Sequence, residues 1–198
     1  IRIGSTCGFE MRVNMDGTAV AGRKINNPDS VNNIYMAVHG VPAPKLAAAL
    51  DFLKPMCEAR YERDRREIAS LNQILSELGA PTLDFEKDVW AISQADAGGS
   101  ITERHLLYAL SLKLIEFLGK GAALVQFVQE KMQIAVPAKI EEYLLDTANP
   151  HYAYDLLGVF KSTLVPRIFE QPNAQECISV YDAVAFANEI GAIPAYAY

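Results

Sequence analysis

The chain has 198 residues, 51% of them hydrophobic and 21% charged, with a formal net charge of −6. That composition suits a soluble globular chain with one good core or two small ones, and the acidic balance argues against a non-specific nucleic-acid binder. No apolar run approaches the roughly 20 residues that span a bilayer, and Cys7, Cys57 and Cys177 show no CxxC spacing, which reads as a reducing, cytoplasmic compartment without a disulfide framework.

Residues 1–13 read as a strand interrupted at Gly4 and Gly8, where Gly8 either lets the backbone approach a neighbour closely or marks a bulge. Arg2, Glu10 and Arg12 within that run exclude a signal peptide. A start inside a strand-like run, without Met, reads as a fragment. Residues 14–29 are turn-rich, and Asp16-Gly17 is a hairpin signal. Residues 34–39 form a short apolar run bounded by Gly40, which predicts a second buried strand.

From Pro42 the pattern turns helical. Residues 43–78 predict a helix that Pro55 kinks or splits. Ile68, Leu71, Ile74, Leu75 and Leu78 share one face of it, and the charges of residues 60–67 predict a solvated opposite face. Further helices are predicted over 84–93, from Thr102 as cap to Gly119, and over 122–132, 138–145 and 152–169. The last stretch repeats the helix, glycine, strand unit of an α/β sheet. Val180, Ala183, Val184, Ala187 and Ile190 fall at helical spacing, Gly191 stops the pattern, and residues 193–198 read as a buried strand. Strands near both ends with helices between them predict a helical segment inserted into one α/β domain. The terminal strand is expected beside an early strand and parallel to it, with Glu10 and Tyr198 near one another, because a buried lone strand leaves its backbone groups unpaired.

Two groups of residues carry chemistry. Glu10 follows a glycine on a buried-looking strand, and a buried carboxylate needs a cation, a donor or a metal. His39 ends the neighbouring strand and reads either as structural or as a ligand. A carboxylate and an imidazole at adjacent strand ends suit a divalent metal such as Zn, Mn or Fe. The second group is Glu103-Arg104-His105, in the first turn of a helix behind Gly98-Gly99. It reads either as an anion site or as an ordinary capped helix start. His151 caps or flanks the next helix. Tyr152, Tyr154, Tyr181, Tyr196 and Tyr198 line a pocket or belong to core and rim.

Three segments together resemble the PHP domain (polymerase and histidinol phosphatase superfamily) of the metal-dependent phosphoesterase type. G-F-E ending at Glu10 resembles the family's Gly-x-Glu strand, whose Glu ligates metal. I-T-E-R-H-L-L-Y-A-L, from Ile101 to Leu110, resembles the helix of the family's inserted segment. S-V-Y-D-A-V-A-F-A-N-E-I-G-A-I-P-A-Y-A-Y resembles the family's closing helix and strand. The resemblance implies a fragment of a distorted (β/α)₇ barrel: barrel strands over 1–42, a mainly helical insertion over 43–177, and a barrel helix and strand over 178–198. It implies Glu10 and His39 as metal ligands, and Arg104 and His105 as contacts to a substrate phosphate. It further implies divalent metal ions (Zn, Mn, Fe or Mg) in the parent protein and a small phosphorylated substrate, with no membrane partner. The sequence departs from the family pattern at two positions. Tyr198, a pocket candidate, stands where the family has a metal-binding His, and Glu103 stands where it has Arg. The alternative expectation is a non-catalytic binding module on the same scaffold, without metal.

Overall fold

Alternation of apolar and polar residues builds the two long strands, β1 (Cys7–Asn14) and β2 (Asn33–Val41). The structure is a computed structural model that describes residues 7–27 and 30–197. The two strands pair antiparallel, with Met11 opposite Met36 and Val13 opposite Ile34. Period two places Met11, Val13, Ile34, Met36 and Val38 on one side, and all five are buried. Both reasons for a glycine at position 8 hold. The register shifts between Cys7 and Phe9, and a Cβ on Gly8 would come within 2.6 Å of the Val38 carbonyl oxygen. The turn at Asp16-Gly17 forms, with Gly17 at φ 77°, but it opens a longer connection than a tight hairpin. In that connection the Asn26 side chain accepts from the Tyr35 N–H and donates to the Tyr35 carbonyl, each at 2.9 Å, so it stands in for a paired strand residue.

The chain then runs through one long helix, α1 (Leu46–Glu77), which Pro55 does not split. After the helical segment it re-enters the sheet as β3 (Ile178–Ser179), then α7 (Val180–Glu189) and β4 (Ile193–Tyr196). Ser179 caps α7 by accepting from the Tyr181 N–H at 3.2 Å, and Gly191, at φ 73°, ends it. Ala49 and Met56 of α1, with Ala183, Ala187 and Ile190 of α7, pack with the apolar side of the sheet in one core.

The sheet is mixed, in the order β3-β1-β2-β4. β3 runs parallel to β1, and β4 runs antiparallel to β2. The expected partnership of the terminal strand with an early strand is found, but its expected parallel direction is not. The crossover through α7 makes β4 parallel to β3, and so to β1. Its immediate neighbour is β2, which the hairpin has already reversed. The parallel pair is formed by β3, two residues that the sequence pattern assigns to no strand. Tyr198 lies outside the described residues, and so does its expected proximity to Glu10.

The chain divides into two compact units, Ile1–Arg60 with Gln171–Tyr198, and Tyr61–Glu170. The second is helical. It contains the end of α1, α2 (Glu103–Leu118), α3 (Ala122–Gln126), α4 (Ala138–Leu145), α5 (Tyr152–Thr163) and α6 (Val165–Ile168). Leu71 and Leu75 of α1 join Leu106, Leu110 and Leu114 of α2 and Phe160 of α5 in its core, all without exposed surface. The charged run of residues 60–67 is a solvated face only in part: Glu62, Arg65 and Arg66 reach solvent, but the other side of the run is buried. Arg63, Asp64 and Glu67 have side chains only 2%, 0% and 0% exposed, because carboxylates and a backbone amide distant in sequence close over them. Among the described residues no helix is long and apolar enough to cross a membrane.

Candidate functional site

The side of the sheet opposite the apolar core carries the candidate metal ligands. Glu10 pairs with Ala37, and Ala37 with Ala195; His39 pairs with Ile193. The β2–β4 register is unbroken from Met36 to His39, so Ala37 and His39 point to the same side, and Glu10 shares it. Glu10 and His39 are therefore diagonal neighbours across two strands, a separation of about 7–8 Å that long side chains can bridge. Both are exposed, so Glu10 is not the buried carboxylate that the strand pattern predicts, and β4 is not the buried strand expected from residue 193 on: Ile193 beside His39 is 65% exposed and Tyr196 49%.

The bulge at Gly8 sits at this end of the strand pair. The extra residue is in β2, where His39 and Gly40, the latter at φ 68°, stand opposite Gly8, so the bulge bears on the aim of His39. Further along the same side, Arg12 lies with its guanidinium carbon 5.6 Å from the Tyr35 ring centroid, and it bonds the Tyr35 hydroxyl at 3.4 Å. Arg12 also stands 3.6 Å from Glu176, a carboxylate that Arg60 grips at 3.0 Å. Glu176 is buried just before β3, so two guanidinium groups hold the entry to that short strand. No local pattern signals this pairing, which joins residues 116 or more apart.

The second candidate group belongs to the helical unit, at the start of α2. Thr102 is the N-cap, and its backbone N–H donates to His105 Nδ1 at 3.2 Å. The His105 N–H donates to the Thr102 carbonyl at 2.8 Å. This is a reciprocal capping box in which His replaces the usual Glu or Gln at the third helical position. Glu103 turns to the interior and accepts from Arg63 at 3.1 Å. Arg104 is exposed. Thr102 is the cap that the sequence predicts, whereas His105, expected as a phosphate contact, has its Nδ1 engaged by that cap.

No family model, curated protein or solved structure matches this chain. The site is therefore judged on its own chemistry. Glu10 and His39 supply one carboxylate and one imidazole, the donor types that borderline divalent metals take. Among the described residues, no group of three or more His, Cys, Asp or Glu side chains is placed to hold a metal ion. The donors thus fit a divalent metal in kind but do not make up a full set.

Proposed function

We propose that the protein containing this chain is a metal-dependent phosphoesterase of the PHP type, and that this chain supplies one wall of its site. The observation that carries the reading is the placement of Glu10 and His39 on one exposed side of the sheet, with the helices packed on the other. A barrel of this type keeps its helices outside and its ligands inside, and the open side of the sheet that carries Glu10 and His39 supports that reading, whereas the antiparallel β1–β2 and β2–β4 pairs are not those of a parallel (β/α)₇ barrel. The metal, when bound, activates water and offsets charge on the phosphoryl group. This chain's own contribution is a carboxylate at Glu10 and an imidazole at His39, the latter at the β2 bulge.

A second reading is a binding module on the same scaffold without metal. It is favoured by the start of α2, where His105 serves the cap and Glu103 serves Arg63, which leaves Arg104 alone of the three facing solvent. One experiment separates the two. In the protein that contains this chain, Glu10→Gln is expected to lower phosphomonoesterase activity at least ~100-fold and to reduce bound metal, with the circular dichroism spectrum unchanged. Undiminished activity and metal content in that variant would sink the first reading. A parent protein with neither metal nor activity would leave the binding module.

A further inference from the structure

Three carboxylates surround one guanidinium inside the helical unit. Arg63 Nη1 donates to Glu67 Oε1 at 2.6 Å and to Glu103 Oε1 at 3.1 Å, and Nη2 stands 3.6 Å from Asp64 Oδ1. Asp64 and Glu67 have no exposed side-chain surface, and Glu103 retains 20%. Glu67 Oε1 also accepts from the Glu170 backbone N–H at 3.0 Å, and the Phe169 ring lies 5.7 Å from the guanidinium carbon of Arg63. The Arg66–Glu170 ion pair lies at the surface beyond them.

Three carboxylates share the Arg63 guanidinium, and of the three only Glu103 keeps exposed surface. Burying an uncompensated carboxylate is costly enough that the group commonly takes up a proton instead. The atom under most pressure is Glu67 Oε2, which is buried and has no hydrogen-bond partner among the described residues. Its twin, Oε1, receives both donors. A proton on Oε2 removes the charge where nothing compensates it and leaves Oε1 free to accept from Arg63 and Glu170.

We propose that the Arg63 cluster is a proton-binding site, in which the buried, unpartnered Oε2 of Glu67 carries a proton, and that this proton tunes the stability of the helical unit. Burial is the main influence on Glu67 and pushes its carboxyl above the ordinary glutamate range. The Glu170 amide and Arg63 pull it down without reversing the shift, and the Glu103 charge adds to it. The sign follows from linkage. A carboxyl raised in the folded state binds more protons there than in the unfolded chain, so stability falls as pH rises through the folded value and is greatest below the unfolded one.

The test is urea unfolding of the full chain and its Glu67→Gln variant from about pH 5 to about pH 9. In the wild-type chain the unfolding constant is expected to climb as the proton leaves, at up to about tenfold per pH unit for one fully linked proton. Glu67→Gln mimics the protonated acid, so its profile should lose that slope and the variant should gain on the wild type as pH rises. Parallel profiles for the two proteins overturn the proposal. Should Glu67→Gln fail to fold, infrared spectra of the wild-type chain labelled with ¹³C-glutamate decide. A protonated-carboxyl band that shifts with the label and disappears on raising pH supports the site, and its absence throughout refutes it.

Discussion

At the scale of single residues, burial changes the meaning of a charge. Arg63, Asp64 and Glu67 sit in a run that has the look of a solvated helix face, and sequence reasoning assigns it so. The partners that reverse this, Glu103 and the Glu170 amide, lie 40 and 103 positions away along the chain. No local pattern could report them. Gly8 is the opposite case. A glycine inside a strand pattern has few causes, and both that apply here, a bulge and a close approach, are found. Arg63 carries the sharper consequence. Replacing it leaves Asp64 and Glu67 buried without their cation, and breaking a buried pair from one side costs ~3–5 kcal/mol. Arg63→Met is therefore expected to lower stability by about that amount in chemical denaturation, far more than Arg65→Met, whose ion pairs are exposed. Equal losses for the two variants would show that the interior position of Arg63 confers nothing.

At the scale of elements, legibility followed length and periodicity. α2 and α7 stood out because a cap, an apolar stripe and a terminating glycine agree in each. β3 was not legible: two residues give no alternation to read, and its pairing with Val13 and Asn14 is decided by where the chain returns. Strand direction at β4 was equally hidden, since it depends on β3 being there. The fit of α7 against the sheet, by contrast, is written in its alanines. Ala183 and Ala187 have no exposed surface, and they let the helix approach Met11, Val13 and Met36 in one core. Ala187→Leu inserts a branched side chain where no space is left, an overpacking change of ~1–3 kcal/mol. Ala185→Leu, on the exposed side of the same helix, should be nearly silent. Thermal melts of the two variants make the comparison. Similar midpoints would mean that α7 is not seated on the sheet through its alanine face.

At the scale of the whole molecule, the chain contains two hydrophobic cores that share no residue. One gathers strand and helix residues from Met11 to Met56 and from Ala183 to Ala192, and the other gathers helical residues from Ile68 to Ile168. The boundary falls within α1, so one continuous helix supplies side chains to both, and a reading of helix ends alone would not find it. The members of the charge cluster described above, Arg63, Asp64, Glu67, Glu103 and the Glu170 amide, all lie within Tyr61–Glu170. A segment that owns its core and its buried ion partners has what a domain needs to fold independently. Residues 61–170 expressed alone are expected to give a single cooperative urea transition and native-like amide protection in the segments around Leu71, Leu110 and Phe160, the centre of that core. The truncated start of α1 should fray, since it loses its preceding turns and gains no cap. Should the segment show helical circular dichroism without a cooperative transition, the helical core would depend on residues outside it, and its division from the sheet unit would be one of contact density rather than of folding.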